Sequence, residues 1–519
     1  MRTAVAGRTF RQTATVFLVV CAVALPFVLS LGMMKALSHD EHQHIAAGAL
    51  VAREGLLPYR DFPHLHTPYL AFVYALLFRI TDHLLLAARL FSVACATAML
   101  GMIGTVAHGL FRERGKWCAA GVCAGAVLLC GTAGVFGITT GRAWNQEPAL
   151  LFALLAFLAH AEGIARQRNG WFVVSGLLLG LSIGLRITYA PLAAPFGLAL
   201  LLYLPPPRWQ PRVMLCFAAG LFIGTFGILC LFVEAPEQTF FGNFEFARLN
   251  VRYRYSSGAP RTVTVLRKVR YLWKEILRRE LPLMAACALP MLISRFARTT
   301  GDRRRFEGGF VWLAMPFILM GSFAPTPLYP QYFYPLVPFL LLAALYSLAS
   351  LPLDTAWFRR SLAIGAVIVV ISVATGNHAY SHLRDVRSPG EWIPLRVHAR
   401  GERLRAKVPG GRVLTLAPLY PLEGGLSIYP SFSTGPFAWR LAPFVEPAKA
   451  ARLGLMTPRT IASILDADAP SGILLNIEPD REIALQLYAE SHGYTATSDL
   501  DGGELWVPAA NSTTRPTAR

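Results

Sequence analysis

Residues 38–62, SHDEHQHIAAGALVAREGLLPYRDF, crowd four acids (Asp40, Glu41, Glu54, Asp61) and three histidines (His39, His42, His44) directly after an apolar run. Two chemistries could use such a set. A carboxylate can take the proton of an attacking hydroxyl or amine. Histidines with carboxylates, here joined by His64 and His66, can hold zinc or manganese. No tetrahedral ligand spacing is present, so no metal ligands are assigned and a divalent metal is kept only as an alternative. The plainer reading is that the acids cap a helix. Ser38 and Glu41 have capping-box spacing, which predicts a helix over 41–54 stopped by Gly55 and Pro58. Asp40 then sits where the first apolar segment meets water.

The elements that must position these residues are membrane helices. Of 519 residues, 54% are hydrophobic and 15% charged, against about 25% charged in soluble domains. Mean hydropathy is +0.45. Apolar runs recur from residue 14 to 376, and a backbone crossing lipid must be helical there. The net charge of +19 is scattered in loops between apolar runs, which suits cytoplasmic loops and phospholipid headgroups and argues against a nucleic-acid partner. All eight cysteines precede residue 288, mostly inside apolar runs, without a CxxC pattern or disulfide framework.

Spans are predicted at 14–34, 84–110, 117–136, 147–161, 170–187, 189–204, 213–233, 281–294, 309–323, 332–350 and 361–376. The first, following Arg2, Arg8 and Arg11, is read as a retained span rather than a cleaved signal. The apolar stretch 67–80 is decided by charge. Left out as a juxtamembrane helix, it places the basic loops 112–116, 165–169, 205–212, 295–306 and 357–360 on the cytoplasmic side with the N-terminus; counted as a span, it flips them outward. Eleven spans then put residues 35–83, 137–146, 186–189, 234–280, 324–331 and everything after 376 on the outer face. The basic loop 234–280 breaks the charge rule there.

Several segments together resemble the GT-C glycosyltransferases that use polyprenyl-phosphate sugars, the protein mannosyltransferase-like and lipid A aminoarabinose transferase-like families. They are Asp40-Glu41, Gly55-Leu56-Leu57-Pro58-Tyr59-Arg60-Asp61, His66-Thr67-Pro68, Ala88-Arg89-Leu90, GRAWNQEPALLFALLAF (141–157), GLLLGLSIGLRITYAPL (176–192) and PLYPQYFYPLVPFLLLAA (327–344). They occur in family order across the first 350 residues. Glu147 stands where the family usually has Asp, and Arg186 where it usually has Lys. The resemblance implies an inverting sugar transfer from a polyprenyl-phosphate donor to a glycan, lipid or protein acceptor. It implies Asp40 as general base, with Glu41 and Glu147 beside it. Arg186 and Arg89 are then candidates for the departing phosphate. Tyr59, Asp61, Tyr329 and Tyr332 fall in matched segments and join the candidate binding set. Arg248 and Arg252, interleaved with aromatics in TFFGNFEFARLNVRYRY (239–255), are expected at lipid headgroups, guiding the carrier phosphate.

The expected architecture is an all-α polytopic membrane protein, GT-C-like, with a small C-terminal α/β soluble domain. Residues 1–376 form the membrane domain, 377–510 an outer-face domain and 511–519 a disordered tail. Within the second, 412–418 and 471–477 read as strands, 480–493 as a helix and 494–508 as a hairpin turning on 501–503. The expected location is a bacterial inner membrane, with site and C-terminal domain in the periplasm and no cofactor assigned. The alternatives are a non-catalytic carrier or flippase of a lipid-linked saccharide, and a polysaccharide polymerase or ligase. Ion-coupled transport would place ionisable groups deep inside spans, whereas here the acids gather at one face.

Overall fold

The computed structural model describes residues 2–204, 210–258, 262–296, 302–351, 356–375, 382–408, 410–499 and 503–509. Parts of the basic loops 205–212 and 295–306, turn residues Asp501 and Gly502, and the tail 511–519 lie outside the described residues.

Each predicted span falls mainly on helix. In chain order the helices are α1 (Arg2–Met34), α2 (His39–Glu54), α3 (Tyr69–Phe78), α4 (Leu84–Phe111), α5 (Lys116–Thr132), α6 (Gly134–Thr139), α7 (Gln146–Arg166), α8 (Asn169–Leu185) and α9 (Ala193–Tyr203). They continue with α10 (Pro211–Glu234), α11 (Pro236–Phe240), α12 (Phe246–Ser256), α13 (Val265–Tyr271), α14 (Leu281–Phe296), α15 (Asp302–Phe323), α16 (Leu336–Ala349) and α17 (Ala356–Thr375). Among the described residues, seven helical segments are long and apolar enough to cross a membrane, and shorter apolar helices complete the bundle. The protein is therefore a polytopic membrane protein. Helix α3 has 10 residues, about 15 Å at helical rise against a hydrocarbon core of about 30 Å. That length agrees with reading 67–80 as a juxtamembrane helix.

Glycines set the closest helix contact. Gly176 and Gly180 of α8 face Gly220 and Gly224 of α10, so that a Cβ on Gly176 would lie 2.1 Å from the Phe217 carbonyl oxygen. Lipid gives no hydrophobic drive between helices, and such small-xxx-small pairs let backbones approach until dispersion holds them.

The segments that charge parity assigns to one face meet at one end of the bundle. Arg142 Nη1 donates to Ala36 O at 3.0 Å. Arg186 Nη1 donates to Asn145 Oδ1 at 2.8 Å. Asn243 Nδ2 reaches Tyr59 Oη at 3.0 Å, and Arg254 Nη2 reaches Tyr329 Oη at 2.8 Å. At the opposite end, Arg114 Nη2 donates to Ala349 O and Leu351 O at 2.7 Å, with its guanidinium 4.2 Å from the Phe358 ring centroid.

The C-terminal part packs on the first of these ends. It continues through α18 (His382–Asp385), α19 (Ile393–Lys407), α20 (Leu419–Glu423), α21 (Pro436–Trp439), α22 (Pro447–Arg452), α23 (Ile461–Leu465) and α24 (Pro479–Ser491). Strands β1 (Arg412–Leu414), β2 (Ser427–Ile428), β3 (Gly472–Leu475), β4 (Tyr494–Asp499) and β5 (Glu504–Pro508) form one sheet. The strand order is β2-β1-β3-β5-β4, with β1 parallel to β2 and β3, and β5 antiparallel to β3 and β4. The predicted strands, helix and hairpin are present; β2 and α19 were not anticipated. Glu423 fixes this part to the bundle. Its Oε1 accepts the Leu85 amide at 2.6 Å, satisfying a free donor at the start of α4, and its Oε2 lies 2.8 Å from His398 Nδ1. Ser433 Oγ also donates to Pro63 O at 3.0 Å.

Candidate active site

Asp40 lies in the first turn of α2, which begins after Ser38 and ends at Gly55 in the left-handed conformation (φ 68°). The capping prediction therefore holds, and the two acids divide the work. Glu41 turns inward and Asp40 faces the meeting point of the loops.

Glu41 and Arg89 are both 0% exposed, and they occupy each other. Arg89 Nε and Nη2 bind Glu41 Oε1 and Oε2, each at 2.8 Å. The remaining donors go to the carbonyls of Gly32 (2.9 Å), Lys35 (2.8 Å) and Ala36 (3.4 Å). Glu41 also accepts the amides of Ser38 and Ala143, both at 2.9 Å. Burial alone would raise the Glu41 carboxyl. The Arg89 charge and hydrogen bonds, the Ala143 amide and Arg142 outweigh it and hold the group below the ordinary carboxylate range. The pair ties α1, α2, α4 and the loop before α7 into one frame. It leaves Arg89 no N–H for a phosphate.

Asp40 is half-buried. Burial raises its pKa, against the opposing pull of Arg186, His39 and Arg440. Gln43 Nε2 approaches Asp40 Oδ1 at 3.4 Å. Desolvation makes such a carboxylate a stronger base, while the charges of Arg186, His39 and Arg440 favour its ionised form. Arg186, extended at the end of α8, is oriented by Asn145 and by Thr188 Oγ1 at 3.0 Å, and lies 5.0 Å from the Tyr332 ring centroid. Tyr332 packs edge-on against Tyr329 at 5.8 Å, and Tyr329 accepts from Arg254. Asp40 and Tyr332 thus both lie within electrostatic reach of Arg186, with Tyr329 against Tyr332.

The other expected residues have different surroundings. Glu147, in the first turn of α7, is buried with neither carboxylate oxygen hydrogen-bonded, within electrostatic reach of Lys35. Lys35 donates to Thr140 O and is depressed below the ordinary lysine range by burial and then by Arg142. Tyr59 and Asp61 shape the loop. Tyr59 is buried at φ 68°, bonded to His66 O and Asn243, while Asp61 Oδ2 caps the Leu57 amide at 2.7 Å and pairs with Arg60 at 2.9 Å. Arg248 and Arg252 are exposed on α12. The arginine of that helix directed at the site is Arg254. Beside them Phe240, Phe244, Tyr255, Val265, Leu266 and Trp273 are also exposed, the composition of a segment lying in a headgroup layer.

The histidines are mostly structural. Burial holds His42 and His64 down to about 4 and His44 down to about 3, so all three are neutral at pH 7. His42 Nδ1 accepts the Leu419 amide at 3.3 Å, and His44 packs 4.9 Å from His66. Among the described residues, no group of three or more His, Cys, Asp or Glu side chains could hold a metal ion.

Two contributions escaped sequence reasoning. Arg440 is a lone charge in the apolar run PFAWRLAPF (436–444), and its charge reaches Asp40. Glu478 pairs with His39 at 2.6 Å, at the residue next to Asp40. Both come from some 400 residues along the chain, with no local spacing to announce them.

No protein-family model and no curated protein matches the chain. Solved structures do match in fold. ArnT from Cupriavidus metallidurans bound to undecaprenyl phosphate aligns with a TM-score of 0.60 and 14% identity, covering 96% of this chain and 98% of that one. The apo state of the same protein aligns with a TM-score of 0.61 and 14% identity, covering 97% and 99%. The chain therefore shares the fold of ArnT over nearly its whole length.

Proposed function

We propose that this chain is an integral membrane glycosyltransferase. It moves a sugar from a polyprenyl-phosphate donor to a glycan, lipid or protein acceptor at the periplasmic face of a bacterial inner membrane. The observation that carries the reading is Asp40, a half-buried carboxylate in the first turn of α2, within electrostatic reach of Arg186 and Arg440. The fold shared with a structure holding undecaprenyl phosphate supports the donor class.

The chemistry follows from this placement. Asp40 accepts the proton of the acceptor hydroxyl or amine as that atom bonds to the sugar C1. The bond from C1 to the phosphate oxygen breaks on the opposite side, and its electron pair leaves with the lipid monophosphate. Attack opposite the leaving group inverts the anomeric centre. Charge growing on the phosphate is met by Arg186, already oriented by Asn145 and Thr188, and by Arg254, steadied by Tyr329. Glu41 and Arg89 act as positioning residues that hold the start of α2. Exposed aromatics of loop 239–273 seat that loop at the headgroups, near the carrier phosphate.

The test is transfer by the purified protein in lipid vesicles. A labelled sugar should move from a polyprenyl-phosphate donor and not from the corresponding nucleotide sugar. Transfer from the nucleotide sugar alone would overturn the donor assignment.

A further inference from the structure

We infer that the C-terminal part completes the donor site, with Arg440 placing its guanidinium on the carrier phosphate opposite Arg254. This rests on the reading of the chain as a user of polyprenyl-phosphate donors.

Arg440 follows α21, and Arg254 lies in the last turn of α12. Arg440 Nη2 donates to Asn250 Oδ1 at 3.1 Å, one turn before Arg254, and its guanidinium lies 5.1 Å from the Tyr253 ring centroid and 4.8 Å from that of Phe437. Arg254 Nη2 donates to Tyr329. The Nε atoms of both arginines are buried without a hydrogen-bond partner. Among the described residues, neither guanidinium forms an ion pair with a carboxylate.

Neighbouring cations of the C-terminal part do form such pairs. Lys449 binds Glu245 at 2.7 Å, Arg452 binds Glu237 at 3.0 Å, and Arg481 binds Glu478. Arg254 and Arg440 have no such pair among the described residues, a lack that the buried Arg400 shares. Both side chains are half-buried, and two like charges partly withdrawn from water without a counter-ion carry a cost. Burial, and then the charges of Arg254 and Arg481, push Arg440 down to about 10. Asp40 reaches Arg440 electrostatically but is only one acid among Arg186, Arg254 and Arg440. The missing partner is an anion with several acceptor oxygens, which describes a phosphate; guanidinium forks suit it. The tyrosine rings and the lipid-facing aromatics of the same loop select a phosphate carried on a hydrocarbon chain over a free one.

Binding should be measured on the full-length protein in detergent with three probes: a polyprenyl monophosphate, the matching polyprenol and inorganic phosphate. Wild type should prefer the polyprenyl monophosphate to both others. Arg440→Gln should weaken its binding roughly tenfold to a hundredfold, the weight of one or two charge-assisted hydrogen bonds. Polyprenol binding should not change. The melting temperature without ligand should stay level or rise, because an uncompensated charge has gone. Arg440→Lys, which keeps the charge and loses the fork, should fall between the two. Unchanged polyprenyl-phosphate affinity in Arg440→Gln would overturn the inference. If that variant does not fold, unchanged affinity in folded Arg440→Lys would do the same. Inorganic phosphate binding wild type as tightly as the lipid would overturn the assignment to the carrier. Wild type showing no preference for polyprenyl phosphate over polyprenol would instead overturn the proposed function itself.

Discussion

Replacing Arg89 with alanine should cost about 3–5 kcal/mol of stability, the usual penalty for orphaning one member of a buried ion pair. The structure supplies the reason. The substitution leaves the Glu41 carboxylate, 0% exposed, with only the Ser38 and Ala143 amides and Arg142 Nη1 at 4.0 Å. It also strips donors from the carbonyls of Gly32, Lys35 and Ala36. Arg89→Lys should cost less, since an ammonium keeps the charge but cannot reproduce the five-bond fork. A double substitution, Arg89→Met with Glu41→Leu, should recover part of the loss because no orphan charge remains. The dependence on pH has a definite sign. The folded Glu41 pKa is depressed from 4.5, so the pair's contribution is present above that value and fades as pH falls below it. Thermal melting in detergent, run beside polyprenyl-phosphate binding, reads all of this. An Arg89→Ala protein that melts like wild type but loses donor binding would refute the reasoning and return Arg89 to the phosphate.

Other consequences are as direct. Arg186→Gln should slow transfer by roughly a hundredfold, the scale of losing one transition-state donor, with acceptor affinity little changed; Tyr332→Phe should stay close to wild type and Tyr332→Leu should lose several-fold, because the ring face is what Arg186 meets. His398 is raised above 6.5, first by its hydrogen bond to Glu423. Its hold on the C-terminal part is therefore full below that value and lost as pH rises through the elevated one; limited proteolysis should quicken across that range in wild type and lose the dependence in His398→Asn. Gly176→Val should prevent α8 from meeting α10, since even a Cβ there is 2.1 Å from the Phe217 carbonyl oxygen. That variant should be recovered in low yield or with a lower melting temperature.

Much of the frame was legible in the sequence because membrane helices announce themselves by length and apolarity. Arginine-rich loops then sorted the ends, and the loops assigned to one face do meet. The capping pattern beside an apolar run made Asp40's place at a helix start legible, its role as base coming from the family resemblance; the strands near 412 and 472 were legible because short apolar runs follow turn signals. What stayed hidden depended on pairing across distance. Nothing local says that Glu41 is consumed by Arg89, 48 positions away, so both looked available for substrate. Arg248, Arg252 and Arg254 read alike until the helix turned only Arg254 toward Tyr329. Arg440 stands alone among aromatic and apolar neighbours, with no local spacing to single it out. The crowded histidines offered metal as an alternative; in the fold three of them are buried and neutral, packed against their neighbours.

The central claim is that Asp40 takes the acceptor's proton, and Asp40→Asn tests it most directly. The variant keeps the shape and removes the base. Single-turnover transfer from a labelled polyprenyl-phosphate sugar should fall by about 10²–10⁴-fold, with melting temperature and polyprenyl-phosphate binding preserved. In wild type the same rate should rise with pH through the elevated Asp40 pKa, since the base must be ionised. A folded Asp40→Asn protein that transfers at the wild-type rate would contradict the account.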